Sequence, residues 1–259
     1  MRTTGWLMHK ADAFFGSDGT RDVAKPDSFR FCSSCAAMQP DDNLSFWSSR
    51  SSANVLSRGD VRSTCSGCAH GANCRGGRLQ DAGISLVYCG WSDSGTSAEA
   101  LRSWKSAPGN EANCLAAGRL LGEMLLCRCD DNLLSQSHLS HGNLLVPVPG
   151  WWGRCLRRGF DPPRRLAEGI AEVVGWPVWR PLFRAHGGRI AGKRREQRQK
   201  TSRRLFRLRS GTRRNLPRHC NLWLVDDLLA SGSTSAAAST LLCRLRPQSV
   251  ILVAANVRN

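Results

Sequence analysis

Apolar positions are sparse and irregular over the first third of the chain and regular thereafter. Ile84-Ser85-Leu86-Val87-Tyr88 alternates and predicts a strand. A helical pattern through Ala98, Leu101 and Trp104 stops at Pro108-Gly109, and a second runs from Ala112 to Cys129 with Leu115, Ala116, Leu120, Leu121, Met124 and Leu125 on one stripe. Asn143 to Pro149 reads as a strand whose two prolines force an extended exit. Arg164 to Val174 follows as an amphipathic helix and Pro177 to Leu182 as another strand. The run Leu222-Trp223-Leu224-Val225 is long enough for one buried strand and too short for a core helix. A helix over Ser235 to Leu245 and a last strand over Ser249 to Ala255 complete the pattern. Strands and helices alternate from residue 112 onward, which predicts an α/β fold with a parallel sheet covered by helices on both faces.

The candidate chemistry gathers after the four apolar residues at 222–225. Asp226 and Asp227 come next, expected where that strand leaves the sheet, and then Ala230-Ser231-Gly232-Ser233-Thr234 before the helix. In open α/β sheets, ligands sit beyond the carboxyl ends of strands. Gly232 lets the backbone pass close to a bound group. The amides of residues 230 to 234 lie at a helix N-terminus, where the dipole favours an anion. Ser231, Ser233 and Thr234 add hydroxyls. Two carboxylates would repel a phosphate, so Asp226 and Asp227 suit an adjacent sugar diol or a magnesium ion. This combination describes a cradle for a ribose 5-phosphate, and it requires the two aspartates to border an open crevice.

Cysteine adds a second expectation. Of 12 cysteines in 259 residues, four form the pairs Cys32-x-x-Cys35 and Cys65-x-x-Cys68. Two such pairs satisfy a tetrahedral structural zinc site, and the serine-rich stretch between them has too few apolar residues for its own core. His70 and Cys74 are close enough to replace one ligand. Cys114, Cys127 and Cys129, in that helical segment, read as small core residues rather than ligands; His138 and His141 read as solvated loop residues. The N-terminus carries no apolar leader, and no run approaches the roughly 18 apolar residues of a membrane span. Reduced thiols and a cytoplasmic protein are expected. The expected domains are an irregular lead-in at 1–30, a zinc module at 31–83 and the α/β domain at 84–259.

Charge changes the picture once more. The formal net charge is +17, carried mostly by arginine, which favours anionic partners. Arg154, Arg157 and Arg158, after the strand at 143–149, are placed to meet a pyrophosphate bidentately. Residues 184 to 214 hold 13 lysines and arginines against one acid, Glu196. A basic loop of that length between strands reads as a lid over phosphates or a strip along a nucleic-acid backbone.

The stretch from Leu222 to Thr234 resembles the phosphoribosyl-pyrophosphate motif of type I phosphoribosyltransferases, with one loop threonine replaced by alanine and another by serine. The order of blocks resembles the ComF/GntX family of competence-associated, phosphoribosyltransferase-like proteins. The matching blocks are Cys32, Cys35, Cys65 and Cys68; Val146-Pro147-Val148-Pro149; Arg157-Arg158-Gly159-Phe160; and Asp226 to Thr234. There are departures: Asp161-Pro162 stands where the family has Asn-Gln, and Ile190 and Thr201 stand where its lid carries glutamine and asparagine. They fall on loops that would close over the reacting ribose, while the phosphate cradle is retained.

The resemblance implies a type I phosphoribosyltransferase-like sheet, structural zinc, and phosphoribosyl pyrophosphate bound with magnesium. Asp226 and Asp227 would hold the ribose, Ala230 to Thr234 the 5-phosphate, and Arg154, Arg157 and Arg158 the pyrophosphate. It also implies a link to DNA uptake and its proteins. No residue stands out as a base for an incoming acceptor. The alternative is a non-catalytic protein that holds single-stranded DNA through the basic segment and the zinc module.

Overall fold

A computed structural model of the chain describes residues 29–31, 38–40, 75–92, 99, 102–104, 108–128, 142–185, 205–214, 216–217 and 219–258. Strand β1 (Phe29–Phe31) pairs antiparallel with β2 (Met38–Pro40), so Cys32 and Cys35 fall in the segment between two paired strands. The cysteines Cys32, Cys35, Cys65 and Cys68, with His70 and Cys74, lie outside the described residues, as does the basic stretch 186–204.

The centre of the protein is a parallel sheet of four strands. Strands β3 (Ile84–Ser92), β4 (Asn143–Pro147), β7 (Asn221–Leu229) and β8 (Ser249–Val257) lie in the order β3-β8-β7-β4. Alternate side chains of β7 serve opposite layers. Leu222 and Leu224 face one core with helices α1 (Arg75–Asp81) and α5 (Ser233–Leu242). Trp223 and Val225 face the other, with α2 (Glu111–Arg128) and α4 (Pro162–Val174). Helices therefore cover both faces, as the run of fully buried strand residues requires.

Helices α2 and α4 cross at glycines. A methyl group on Gly118 would collide with the carbonyl oxygen of Leu166, and one on Gly169 with that of Leu115, so the two backbones touch. Below that crossing Trp223 is fully buried against Trp176, with ring centroids 4.7 Å apart. At the amino end of the sheet a polar ladder links three strands. Asn143 Oδ1 accepts from Trp223 Nε1 at 2.9 Å and from Asn221 Nδ2 at 3.1 Å, and Asn221 Oδ1 accepts from Ser249 Oγ at 2.7 Å. Each of these buried groups is paired, as stability demands.

Three elements differ from the sequence pattern. The strand expected at 177–182 shrinks to one parallel bridge, Leu145 with Val178, where Leu145 N–H donates to Pro177 O and Trp179 N–H to Leu145 O. Pro177 and Pro181 have no N–H to extend a ladder, so regular pairing starts only at β5 (Leu182–Arg184). β5 pairs antiparallel with β6 (Phe206–Leu208), and in the chain the basic stretch lies between these two strands. The segment after β4 forms a short helix, α3 (Trp152–Arg158), ended by Gly159 in the left-handed conformation. Helix α1, absent from the pattern, packs Leu79 into the core beside α5.

Candidate functional site

The acidic pair lies inside β7 rather than beyond its end. On the β8 side β7 is paired through Leu229, with Asp226 opposite Ala254 and Leu228 opposite Asn256. On the β4 side pairing stops much earlier: Pro147 faces Val225, and Val148 N–H closes the ladder on Val225 O at 2.8 Å. Pro147 lies on the edge of β4 that Leu145 turns toward Val178; the next N–H on the β7 side is that of Gly150, and it donates to Asp161 Oδ2 at 3.1 Å instead of continuing the ladder. From Asp226 onward β7 has no strand partner on its β4 side among the described residues, and this gap in the pairing marks a notch beside the β4–α3 loop at the carboxyl end of the sheet. The apolar pocket lined by Tyr88, Cys89, Leu121, Met124, Leu125 and Val253 lies elsewhere, between β3 and α2.

The two carboxylates have different surroundings. Asp226 is 5% exposed; its Oδ2 accepts from Ser235 Oγ at 2.9 Å and its Oδ1 from the backbone N–H of Asp227 at 2.9 Å. It therefore ties β7 to the first turn of α5. Asp227 is half-buried and keeps solvent access. Of the pair, Asp227 is the less buried.

Across the notch the loop between α3 and α4 brings a third acid, Asp161. It occupies the N-cap position of α4, followed by Pro162-Pro163, but does not cap the helix with its side chain. Its Oδ2 instead accepts from Gly150 N–H at 3.1 Å. Gly150 has no room for a side chain: a Cβ would come within 2.6 Å of Asp161 Oδ1 and 2.9 Å of Cys155 Sγ. Burial raises the Asp161 carboxyl above the ordinary carboxylate range, and the charge of Asp227 adds to the rise. The same burial, with Asp161 beside it, pushes the Cys155 thiol up to about 11.

The arginines of α3 divide. Arg158 lies over the Phe160 ring at 5.9 Å and its charge reaches Asp161 and Cys155. Arg154 and Arg157 are exposed; Arg154 acts on Arg184, whose guanidinium lies over the Phe206 ring at 5.9 Å. Burial lowers the Arg184 pKa, Arg154 lowers it further, and Asp226 and Asp161 oppose both. Arg184 thus belongs to the notch, although in the sequence it is merely the first of a basic series. No charge or contact described here draws Arg157 into the notch.

Beyond Leu229 the chain turns through Ala230 and Ser231, both exposed, to Gly232, which is buried with φ +71°. A Cβ at Gly232 would meet Leu79 Cδ2 at 3.1 Å and Arg75 Cγ at 3.3 Å, both from α1. Ser231 and Ser233 hydroxyls lie 3.0 Å apart, and Ser233 and Thr234 are half-buried in the first turn of α5. Arg75 Nη1 donates to the carbonyls of Leu229 (3.2 Å), Ala230 (3.0 Å) and Arg258 (2.5 Å). Arg78 Nη1 donates to Ser231 O and lies 3.4 Å from Ser233 Oγ. Sequence reasoning missed both arginines, since α1 falls in a stretch attributed to the zinc module. The signal available was a pair at i and i+3, which share one helix face.

The notch thus has a helix N-terminus with hydroxyls on one flank, carboxylates in the middle, and Arg154, Arg158 and Arg184 on the other. Among the described residues no group of three or more His, Cys, Asp or Glu side chains is arranged to hold a metal ion. No described helix is long and apolar enough to cross a membrane. No protein-family model matches the chain, and no curated protein matches it.

Proposed function

We propose that the protein binds phosphoribosyl pyrophosphate with magnesium in this notch, as a ComF-like protein of phosphoribosyltransferase type, and transfers the phosphoribosyl group to an acceptor. The observation that carries the reading is the sequence of charge across the notch. A ligand with a 5-phosphate, a diol and a pyrophosphate matches positive, negative and positive flanks in turn. The loop 230–234 receives the 5-phosphate with backbone amides and the α5 dipole. Asp227 accepts hydrogen bonds from the ribose hydroxyls or holds the cation; Asp226, both of whose oxygens are already engaged, orients α5 through Ser235. Magnesium, when bound, neutralises charge on the leaving pyrophosphate. Arg154, Arg158 and Arg184 stabilise the same group as the bond to C1 of the ribose breaks. Positioning and charge do the work.

The reading keeps the zinc module at Cys32, Cys35, Cys65 and Cys68, a cytoplasmic location and a role in DNA uptake. The five described cysteines at 89, 114, 155, 220 and 243 are free thiols, in keeping with a reducing compartment. Calorimetric titration with phosphoribosyl pyrophosphate and magnesium tests it directly. Saturable binding is expected, weakened about a hundredfold by Asp227→Asn, since a hydrogen bond to a charged group contributes about 1.5–3 kcal/mol. A flat titration of the wild-type protein ends the proposal.

One observation favours the second reading, single-stranded DNA binding. Trp151 and Trp152 contact each other at 5.7 Å, and Trp152 is 64% exposed on the helix that carries Arg154, Arg157 and Arg158. Aromatic faces beside arginines suit stacked bases and a phosphate backbone. Trp152→Ala should then weaken DNA binding while leaving phosphoribosyl pyrophosphate affinity intact.

A further inference from the structure

We infer that the two arginines of α1 are positioning residues that aim the anion-binding amides of the 230–232 loop. For its ligand the inference rests on the phosphoribosyl reading above. The argument starts from the peptide group, which is planar and trans, so that a carbonyl and the N–H following it point to opposite sides of the chain. Arg75 holds the carbonyls of Leu229 and Ala230, and Arg78 holds that of Ser231. Three consecutive carbonyls are therefore drawn toward α1. The N–H groups of Ala230, Ser231 and Gly232 are turned the other way, side by side, into one concave set of donors.

The clamp is built into the fold on both sides. Arg75 also donates to Arg258 O at 2.5 Å, joining the loop to the end of β8. Its aliphatic stem and Leu79 lie against Gly232, where only a glycine fits both the covering residues and a φ of +71°. Leu229 O also accepts from Arg258 N–H at 2.9 Å, so without the arginines it is the carbonyl oxygens of Ala230 and Ser231, at the mouth of an anion site, that would be free to turn inward. Oxygens facing a phosphate repel it, so loop orientation and affinity are the same variable. A guanidinium suits this role because it is always charged and rich in N–H donors; Arg75 shares the two of Nη1 among the carbonyls of Leu229, Ala230 and Arg258.

The test uses the full chain with Arg78→Ala, Arg78→Lys and Arg75→Ala, titrated with ribose 5-phosphate and separately with inorganic pyrophosphate. Amide exchange at residues 230–232 is followed in the ligand-free protein. Arg78→Ala should weaken ribose 5-phosphate about tenfold or more, leave pyrophosphate within about twofold, and speed exchange of those three amides, with partial recovery in Arg78→Lys. Arg78 is exposed, so its loss should not unfold the protein; Arg75→Ala, should it fail to fold, is not needed for the decision. Wild-type and Arg78→Ala proteins that bind ribose 5-phosphate equally overturn the clamp and leave the phosphoribosyl reading intact. A wild-type protein that binds neither probe sinks the phosphoribosyl reading. The exchange rates then decide the clamp: faster exchange in Arg78→Ala sustains it, and unchanged rates overturn it.

Discussion

Both faces of the sheet are closed by carbon packed on carbon, but near its carboxyl end the face under α1 and α5 adds a set of polar ties. On the first face two helix backbones meet at Gly118 and Gly169, and Leu166, Ile170 and Trp223 are fully buried between them and the sheet. Ion pairs such as Arg119–Glu172, at 2.5 Å, lie at its exposed rim and add little. On the second face Ser235 joins Asp226, Ser239 Oγ reaches Ala82 O at 2.8 Å, and Arg75 and Arg78 hold loop carbonyls. The difference separates stability from site geometry. Apolar contacts are non-directional and tolerate small shifts, while hydrogen bonds impose angles, and an anion cradle needs angles.

The strongest way to break that division is Gly169→Val, which drives a branched side chain into the backbone of α2. We expect a loss of roughly 3 kcal/mol or more in urea unfolding, with ligand affinity of the surviving folded protein unchanged. Trp223→Ala should cost about 3–5 kcal/mol by the same measurement, because it leaves a cavity and removes one of the two hydrogen bonds to Asn143 Oδ1. A loss of phosphate affinity in either folded variant would show that the two faces are not separable.

Ser235→Ala sharpens the comparison from the other side. It leaves the buried Asp226 carboxylate short of one donor, so we expect about 1–3 kcal/mol of destabilisation. Unlike the glycine variant, it should also weaken ribose 5-phosphate binding, since α5 loses its tie to β7.

The smallest effect is a slope. Asp161 has its carboxyl pKa raised by burial from a usual 3.8, so the folded protein holds that proton more tightly than the unfolded chain does. The stability this contributes is fully present below pH 3.8 and is lost as pH rises through the raised value. Asp161→Asn cannot ionise and should flatten that part of the profile, as read from urea midpoints between pH 3.5 and 8. An unchanged slope would mean that Asp161 ionises in the folded protein as easily as in water.

Much of this architecture was legible as pattern. The runs at 84–88, 143–149, 222–225 and 249–255 each fall within or on a strand of the parallel sheet, and the stripe from Ala112 onward is α2. The element that failed, 177–182, failed because an apolar run says nothing about whether the N–H groups needed for a ladder exist, and two of its residues are prolines. The acidic pair was legible as chemistry but not as geometry. The four-residue run ends at Val225, yet β7 continues to Leu229 because β8 keeps supplying partners.

Sequence alone determined the class of fold, the residues that line the sheet and the location of the polar cluster along the chain, because these depend on local periodicity and on side-chain type. Tertiary structure alone decided that Asp226 is tied to Ser235 while Asp227 faces the notch, that Asp161 and Arg184 join it, and that Arg75 and Arg78 reach across 153 or more positions to hold a loop's carbonyls. Such contacts link residues far apart in the chain. They carry no period of their own, so only the closed arrangement of strands and helices brings them into register.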